Sequence, residues 1–469
     1  MEKPGVSRAF FIVPMAYVTE FHYIWDGFSP PKAIMKLPID RQILASVLKQ
    51  MDILDISSAT IRQSGGIARA LESCTSTEFL HLEMGIPGLP PVRAGIEAEK
   101  HALDSGVASQ YPSMAGLPKL KEQASRFLKA YLDIDLAPQG CVPTVGSMQG
   151  SFSTFLLCSH LVEGRDTILF IDPGFPVQRT QARILGINTE SFDIYDYRGD
   201  KLHDKLESHL KSGRIAALIY SSPNNPAWFN LTEDELRTIG ELATRYDTIV
   251  IEDLAYMCMD FRKPLGKPYE PPFQPTVAKY TDNYIIMMSG SKMFSYAGQR
   301  IAIIAISDAL FSREYPLLKE WYKMSRLGDA YVFAVLYAVS SGASHSAQYA
   351  LAEMFRAAAD GELDFVTAAA EYARRAALSK KIFMDNGFHI VYAMDGEEPV
   401  SDGFFYTVGY KDMTSGELMG ELVRYGMATI ALSTTGSRQS GVRVCVSQLN
   451  REEQFVMLEE RLRLFAADH

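Results

Sequence analysis

The chain has 469 residues, of which 47% are hydrophobic and 22% are charged, and its formal net charge is −10 at pH 7. This length is too great for a single ordinary hydrophobic core, so it predicts two or three lobes. The composition is close to the average for soluble domains and excludes a disordered or fibrous chain. The acidic balance disfavours nucleic acid as the main partner, because a phosphate backbone calls for a basic protein face.

The first 75 or so residues are rich in Phe, Tyr, Ile and Met but show no strand alternation. We expect helices and coil there, packed on a second lobe or on another subunit. The apolar run 9–18 contains Pro14 and is too short to span a bilayer, so we expect no membrane segment and a cytoplasmic protein. The five cysteines form no CxxC pair and have no histidine at zinc spacing, which predicts neither a disulfide framework nor a metal site.

From about residue 142 to residue 307, short apolar runs alternate with amphipathic segments. This pattern predicts a doubly wound α/β domain with a buried, mainly parallel sheet. The predicted strands are residues 167–171, 215–220, 248–251, 284–288 and 301–306. The predicted helices include 176–185 and 233–246, the second with Thr232 as its N-cap and Glu235 three residues later.

The pattern changes after residue 307 and predicts a separate, smaller α+β domain. An Ala-rich helical stretch, 317–377, precedes a final group of elements. These are strands at 390–393, 404–410, 429–432 and 442–446, and a last helix capped by Asn450 with Glu453. We therefore expect a large domain at 80–320 and a small domain formed by 1–79 together with 321–469.

The strongest local signal is the sequence Ser-Gly-Ser-Lys-Met-Phe at 289–294, directly after a predicted buried strand. Arg300 follows the lysine of this sequence by eight positions. Burial lowers the pKa of a lysine and gives a nucleophilic amine suited to Schiff-base chemistry. Neighbouring hydroxyls and a guanidinium suit a phosphate dianion. The alternative is an ordinary surface lysine that follows a strand.

This segment resembles the S-x-S-K-x-F/Y…G-x-R signature of the class I/II aminotransferases, which are fold-type I pyridoxal 5'-phosphate (PLP) enzymes, and further blocks follow in that family's order. The resemblance implies that Lys292 holds PLP as a Schiff base and serves as general base and acid. It also implies that Ser289, Ser291 and Arg300 bind the cofactor phosphate.

The sequence Asp-Leu-Ala-Tyr at 253–256 resembles the family's D-x-A-Y element. The resemblance implies that Asp253 pairs with the protonated pyridine nitrogen and that Tyr256 hydrogen-bonds the phenolate oxygen. A carboxylate at the pyridinium keeps the ring an electron sink, so the chemistry agrees with the motif.

The sequence Ser-Pro-Asn-Asn-Pro at 222–226 resembles the family's N-P-x-N-P loop. This match places Asn225 as a second hydrogen-bond donor to the phenolate oxygen and near the substrate. The family's following Thr-Gly is replaced here by Ala227 and Trp228. The sequence leaves the effect of that departure on the loop open.

Three further turns resemble family elements. Val-Gly-Ser-Met-Gln-Gly stands where the phosphate-cradling turn lies, which implies phosphate binding by the backbone of Gly146, Ser147 and Met148, although a glycine turn before a helix is more often a simple connector. Asp-Pro-Gly-Phe resembles the turn whose aromatic residue, here Phe175, stacks on the pyridine ring. Tyr-Pro-Ser-Met-Ala-Gly-Leu resembles the stretch whose tyrosine, here Tyr111, reaches the neighbouring subunit's phosphate, which implies a homodimer.

Two elements resemble the family's substrate-binding residues. Arg443, in Gly-Val-Arg-Val-Cys, matches the arginine that grips the substrate α-carboxylate through two parallel hydrogen bonds. Gly85, in Glu-Met-Gly-Ile-Pro, matches the glycine close to the same carboxylate. Arg438 competes for the role of Arg443, and its Gly- and Ser-rich surroundings favour a loop.

One absence in the sequence bears on which substrate side chain the site accepts. Aspartate-specific members bring a second arginine from the partner subunit, yet residues 327–354, where we expect it, contain neither Arg nor Lys. Arg326 lies just outside this stretch. The sequence therefore favours a neutral, aromatic or broad substrate.

The resemblance implies a PLP-dependent transaminase that acts on an amino acid and a 2-oxo acid. Two alternatives stay open: a lyase or decarboxylase on the same fold, and a PLP-binding regulator without turnover. The aromatic residues Phe21, Tyr23, Trp25 and Phe28 either cover the active-site entrance or pack at a dimer interface.

Overall fold

The computed structural model describes residues 37–469. The expectations for the run 9–18 and for the aromatic residues 21–28 lie outside these residues. Among residues 37–469, no helix combines the length and the apolar character that a membrane crossing needs.

The strands form two larger sheets and two short pairs. Their bounds are β1 Leu80–His81, β2 Cys141–Val145, β3 Thr167–Asp172, β4 Asn188–Asp193, β5 Ile215–Ser221, β6 Ile249–Asp253, β7 Tyr284–Ser289, β8 Ile301–Ile306, β9 Phe388–Ile390, β10 Met394–Asp395, β11 Glu398–Pro399, β12 Phe405–Tyr410, β13 Met427–Ala428, β14 Ile430–Ala431 and β15 Val442–Cys445.

The α-helices are α1 Arg41–Gln50, α2 Ile61–Thr75, α3 Arg93–Asp104, α4 Pro118–Leu132, α5 Gly146–Cys158, α6 Pro176–Leu185, α7 Lys201–Leu210, α8 Glu233–Arg245, α9 Gly290–Met293, α10 Asp308–Ser312, α11 Pro316–Tyr322, α12 Leu327–Ala330, α13 Tyr337–Ser340, α14 His345–Ala359, α15 Phe365–Ala369, α16 Glu371–Asp385, α17 Ser415–Arg424 and α18 Glu452–Asp468. A π-helical turn, Tyr331–Leu336, joins α12 to α13. Short 3-10 turns occur at Ile56–Ser58, Val107–Ser109, Pro138–Gly140, Ile194–Asp196, Val277–Lys279, Ala297–Gln299 and Leu432–Thr435.

The seven-stranded sheet has the order β2-β8-β7-β6-β5-β3-β4. Strands β7, β6, β5, β3 and β4 run parallel, whereas β8 pairs antiparallel with both β7 and β2. Every residue of β3, β5, β6, β7 and β8 is buried, as expected for a sheet covered by helices on both faces. The predicted α/β class with a mainly parallel sheet is confirmed.

The predicted helices of this region are also confirmed. The first, α6, has the predicted bounds 176–185. Helix α8 begins after Thr232, whose hydroxyl accepts from the backbone of Glu235 while the Glu235 carboxylate accepts from the backbone of Thr232. This reciprocal capping box satisfies two backbone N–H groups that the first helical turn leaves free.

A four-stranded antiparallel sheet, β14-β15-β12-β9, forms the core of the second region. Residues from the N-terminal side bind to segments beside this sheet: the Ile39 amide donates to the Arg424 carbonyl at the end of α17, and the Ser64 hydroxyl donates to the Thr429 carbonyl just before β14. Helices α1 and α2 thus contact this second region, which is one of the two alternatives expected for the N-terminal residues. The exact division at 79/80 and 320/321 stays a prediction.

The structure corrects several predicted bounds. The helical stretch 317–377 is broken into shorter helices, because Lys323, Ser341 and Gly361 adopt left-handed backbone conformations that end helices. The strand predicted at 390–393 lies at Phe388–Ile390, and the one predicted at 429–432 is reduced to Ile430–Ala431.

The predicted cap of the last helix was wrong by one residue. The N-cap is Arg451 rather than Asn450, and the side chain of Gln454, not Glu453, accepts from the backbone amides of residues 450 and 451. The edge strand Asn188–Asp193 was not predicted, because its first half is polar and solvent-exposed.

Candidate active site

A cavity of about 420 Å³ opens where the carboxyl ends of β5, β6 and β7 face the four-stranded sheet. Ser221 and Asp253 are partners in register at the ends of β5 and β6, and β7 ends at Ser289. Open parallel sheets bind ligands at this edge. The lining residues are Ile61, Arg62, Met84, Gly85, Ile86, Ser147, Met148, Phe175, Ser221, Asn225, Asp253, Ala255, Tyr256, Ser289, Ser291, Lys292, Ala297, Arg300, Phe405 and Arg443.

Most predicted site residues therefore line one cavity; the two that do not are Gly146 and Tyr111. Gly146 borders it, with φ of 66°, and a Cβ built there would lie 2.4 Å from Nη2 of Arg300. A side chain at this position would be strained by the left-handed backbone and would have to displace the Arg300 guanidinium. Tyr111 is 90% exposed on the surface of the single chain.

Lys292 lies in the short helix α9, directly after β7. Its Nζ donates to the carbonyl of Gly85 and lies 5.5 Å from the centre of the Phe404 ring. The pKa of the Lys292 ammonium is lowered to about 8, chiefly by burial, with smaller lowering effects of Arg443 and Arg300 and an opposing effect of Cys445. Far more of this amine is therefore neutral and nucleophilic near neutral pH than in an ordinary lysine.

Asp253 is buried at the end of β6 and is held by two donors. The Gln178 side chain donates to Oδ2 at 2.9 Å, and the amide of Ala255 donates to Oδ1 at 3.1 Å. Burial raises the pKa of Asp253 to about 6 despite both bonds. A cationic partner in the cavity would lower this pKa and stabilise the ionised form of the carboxyl.

Asn225 and Tyr256 both line the cavity with groups that can donate hydrogen bonds. The side-chain oxygen of Asn225 accepts from Nη1 of Arg443 at 3.1 Å, and, among residues 37–469, its Nδ2 has no hydrogen-bond acceptor. Tyr256 is buried, and burial raises the pKa of its phenol well above the ordinary value. Both side chains thus present neutral donors to the cavity.

Arg443 is 1% exposed, although it carries a charge. Its two Nη atoms donate to the Asn225 side chain and to the Glu83 carbonyl, its guanidinium lies 4.6 Å from the Phe405 ring centre, and its buried Nε has no hydrogen-bond partner in the described part of the chain. Burial lowers the pKa of this guanidinium. A buried cation that is bonded only to neutral oxygens is suited to an anionic ligand.

A second group of lining residues offers hydrogen-bond donors that could bind another anion. Ser147 and Met148 belong to the first turn of the 13-residue helix α5, where backbone N–H groups have no intrahelical acceptor. Ser289 and Ser291 are buried there, with the Ser289 hydroxyl accepting from the Ser291 amide at 3.2 Å. Phe175, half-buried at the N-terminus of α6, forms a neighbouring wall.

Several lining residues were missed from the sequence. Met84, Ile86 and Ala255 flank predicted site residues and could have been included. Ile61 and Arg62 come from α2, far away in the chain, and no local pattern marks them. Others missed are Ser221, Ala297, Phe405 and, beneath Asp253, Gln178.

Two arginines that the sequence left open lie elsewhere. Arg438 does not line the cavity; its backbone amide donates to Asp193 at 2.7 Å. Arg326 is exposed, lies 3.7 Å from Asp329 and does not line the cavity either. Among the described residues, no cluster of three or more His, Cys, Asp or Glu side chains could hold a metal ion.

Comparison with known proteins gives one family. Residues 77–459 match the family model "Aminotransferase class I and II". Among curated proteins, a probable aspartate aminotransferase of Methanocaldococcus jannaschii is 25% identical over 262 residues, which cover 56% of this chain and 66% of the relative. LL-diaminopimelate aminotransferase 2 of Nostoc is 26% identical over 236 residues, covering 50% of this chain and 58% of that protein. The matches span less than two thirds of each of these relatives.

Solved structures give the same fold. The aspartate aminotransferase of Thermus thermophilus with maleate superposes with a TM-score of 0.68 at 19% identity, and covers 87% of this chain and 96% of its own. The N-succinyldiaminopimelate aminotransferase of Mycobacterium tuberculosis gives 0.67 at 20% identity, with 90% and 98% covered.

Proposed function

The chain belongs to the class I and II aminotransferase family, and from this premise we propose that it transfers the α-amino group of an amino acid to a 2-oxo acid. The family is dependent on PLP, so PLP is the cofactor. The proposal concerns the activity, the substrates and the role of each residue.

The residues of the cavity fit PLP at each of its polar groups. The first turn of α5, together with Ser289, Ser291 and Arg300, would hold the phosphate, with Gly146 leaving room for the guanidinium. Asp253 would accept from the protonated ring nitrogen, and Tyr256 and Asn225 would donate to the ring oxygen. Phe175 would cover one face of the ring.

When bound, PLP supplies an aldehyde that condenses with amines and a ring that takes up the electron pair left when the substrate loses its α-proton. Asp253 has only neutral donors around it, so a protonated ring nitrogen would supply the positive partner that lowers its raised pKa and stabilises its ionised form.

The protein's own residues supply orientation and proton transfer. Arg443 would bind the substrate α-carboxylate, beside Gly85, and so fix the direction of the Cα–H bond. Lys292 would first anchor the cofactor through Nζ and then, once free, take the α-proton at Nζ and return it. The lowered pKa of Lys292 suits this role, because a general base works best when its pKa is close to the operating pH.

One observation supports this proposal above the others: an amine with a pKa of about 8 and a buried guanidinium bonded only to neutral oxygens line the same cavity. The test is the visible absorbance of the purified, PLP-loaded protein, followed as single amino acids are added. Loss of the visible band, with a 2-oxo acid released, supports the proposal. A band that no amino acid changes would count against it.

Lyase and decarboxylase activities stay the alternative, because the same carbanion can lose a β-substituent or arise by loss of carbon dioxide. Formation of ammonia with pyruvate, or of carbon dioxide, in the absence of any 2-oxo acid would identify them. A regulator without turnover would bind PLP and show neither reaction.

The wall left for the substrate side chain is mostly apolar. It consists of Ile61, Met84, Ile86 and Phe405. Apolar surface of this kind favours neutral aliphatic or aromatic side chains. We therefore propose a neutral or aromatic amino acid as the donor.

A second candidate substrate class is favoured by Arg62. This exposed arginine lines the same cavity, and it takes part in no ion pair within residues 37–469. A cation at the rim of an apolar pocket would pair with the far carboxylate of an acidic substrate such as a dicarboxylic 2-oxo acid. One site would then accept neutral and acidic partners in the two halves of the reaction.

We also propose a homodimer in which Tyr111 serves the neighbouring site. The segment around Tyr111 contacts the turn after α13, where the Ser341 hydroxyl lies 3.8 Å from the Met114 sulfur. Large apolar side chains nearby are also exposed, namely Phe333, Tyr337 and Val339. Exposed apolar surface of this extent is typical of an interface. The cytoplasmic location stays a prediction.

A further inference from the structure

Trp228 adopts a conformation that tryptophan rarely takes. Its φ is 67°, in the left-handed region, and its side chain is fully buried. The indole Nε1 is buried without a hydrogen-bond partner in residues 37–469. Both features cost free energy, so the packing of the ring must offset them.

The loop that carries Trp228 is tightly closed. The Trp228 amide donates to the Asn224 carbonyl at 2.9 Å, and the Asn224 amide donates to the carbonyl of Phe229 at 2.9 Å. The Asn224 side chain also accepts from the Ala227 amide at 3.0 Å. These bonds hold the indole in one place beside Asn225.

The indole joins the two sheets of the protein. It packs edge-on against Tyr256, with ring centres 5.3 Å apart, and against Phe405, with centres 6.1 Å apart. A Cβ built on Gly403 would lie only 2.0–2.2 Å from indole atoms, so the missing side chain at 403 forms the recess that accepts the ring. Trp228 belongs to the loop after β5, whereas Gly403 and Phe405 belong to the four-stranded-sheet region.

Phe405 connects this packing to the cavity. Its ring lies 4.6 Å from the Arg443 guanidinium and itself lines the cavity, whereas Trp228 does not. Tyr256, the other partner of the indole, lines the cavity from the opposite sheet. Trp228 thus contacts Tyr256, which is proposed to bind the cofactor, and Phe405, whose ring packs against Arg443.

We propose that Trp228 is a positioning residue for the substrate carboxylate. By filling the recess at Gly403 it fixes the Phe405 ring, and through that ring it fixes Arg443 relative to Tyr256 and Lys292. This inference rests on the proposed function. Its consequence is specific: Trp228 acts on every substrate that carries the α-carboxylate, whatever its side chain.

The test compares Trp228→Leu with Trp228→Phe in the PLP-loaded protein. Binding of propionate, a carboxylate without an amine, is measured by calorimetry and by the visible band, beside KM and kcat for a neutral and an acidic substrate. We expect Trp228→Leu to weaken propionate binding about tenfold and to raise both KM values alike, with kcat changed less, as loss of uniform binding requires. Trp228→Phe, which keeps an aromatic ring, should recover most of the affinity.

Gly403→Ala gives a second route that leaves Trp228 intact, because the added Cβ must displace the indole. It should weaken propionate binding in the same direction, and it carries the test if Trp228→Leu does not fold. The control is Trp321→Phe, since Trp321 is exposed and stacks on His160 outside the cavity.

Three results would overturn the inference: unchanged propionate affinity in folded Trp228→Leu or Gly403→Ala, a KM increase confined to aromatic substrates, or an equal loss in Trp321→Phe. Propionate binding by calorimetry needs no turnover. A wild-type protein that binds propionate but transfers no amino group would therefore refute the proposed function while still testing the role of Trp228.

Discussion

Arg443 donates from Nη1 to the side-chain oxygen of Asn225 at 3.1 Å, which links the four-stranded sheet to the loop after β5. Because a guanidinium can only donate, this bond fixes which end of the Asn225 amide is the oxygen. The Nδ2 end is therefore oriented before any ligand binds. The residue proposed to hold the substrate carboxylate thus also orients a residue proposed to contact the cofactor.

Replacing Lys292 should separate cofactor binding from turnover. We expect Lys292→Ala to keep the fold but to lose the visible absorbance band and to reduce amino-group transfer by at least about 10²–10⁴-fold, the usual contribution of a general base. Lys292→Arg is the matched control that keeps a positive charge. Turnover equal to the wild type in Lys292→Ala would refute the assignment.

The lowered pKa of Lys292 predicts the pH dependence of cofactor capture. Only the neutral amine attacks an aldehyde, so the rate at which cofactor-free protein develops the visible band should rise with pH and level off above about 8. An ordinary lysine, with a pKa near 10.5, would give a rate still rising there. Stopped-flow absorbance from pH 6 to pH 10 measures it, and a rate that rises unchanged beyond pH 9 contradicts the prediction.

Asp253→Asn should reduce the rate of transfer by about a hundredfold or more, because the ring nitrogen loses its anionic partner. The affinity for PLP should fall far less. Steady-state rates and PLP titration measure the two effects. Equal losses in both would show that the carboxylate only binds the cofactor.

The same variant predicts a stability effect in the cofactor-free protein. The pKa of Asp253 is raised from 3.8 to about 6 in the folded state, so the wild-type protein loses stability as pH rises through this window. The free energy of unfolding of the wild type relative to that of Asp253→Asn should therefore fall by about 3 kcal/mol at most between pH 4 and pH 7. Urea unfolding at both pH values tests this, and a pH-independent difference would argue against a buried ionised carboxylate.

Arg62→Ala should change substrate choice and not chemistry. We expect KM for a dicarboxylic 2-oxo acid to rise about three- to tenfold, as the loss of one exposed charge pair allows, with KM for a neutral 2-oxo acid unchanged. Arg326→Ala is the matched control, because Arg326 is exposed but does not line the cavity. Parallel losses for both oxo acids would mean that Arg62 is not a specificity residue.

Mixed dimers test the role of Tyr111. Lys292→Ala and Tyr111→Ala proteins should each have little activity as pure dimers. After they are unfolded and refolded together, dimers of one chain of each kind should regain one intact site, made of Lys292 from one chain and Tyr111 from the other. Measured activity should then rise to about a quarter of the wild-type value if the chains pair at random. No gain on mixing would indicate that Tyr111 serves its own chain or none.

Much of the sheet followed from the sequence, because buried strands such as Ile215–Ser221 and Ile301–Ile306 are continuous apolar runs with turns at both ends. The polar edge strand Asn188–Asp193 carries no such signal. The helices end at Lys323 and Ser341 because these residues adopt left-handed conformations, which their residue types do not predict.

The cavity was predictable where each residue stands in a local motif, as Lys292 and Asp253 do. Arg62 and Gln178 are different, because their place in the site depends on how distant segments pack. The role of Trp228 could not be predicted without the structure, because the recess that accepts its ring is formed at Gly403, which is distant from it in the sequence.

The two residues that follow strand β1 have a consequence for how the protein is made. The carbonyl of Leu82 accepts from the Cys445 amide at 2.8 Å, and the next residue, Glu83, accepts from Arg443. The carboxylate-binding end of the cavity thus needs a segment synthesised early and one synthesised late, whereas the sheet that carries Lys292 is complete well before Arg443 emerges. During translation, the carboxylate-binding end of the cavity should therefore be the last part of the site to form.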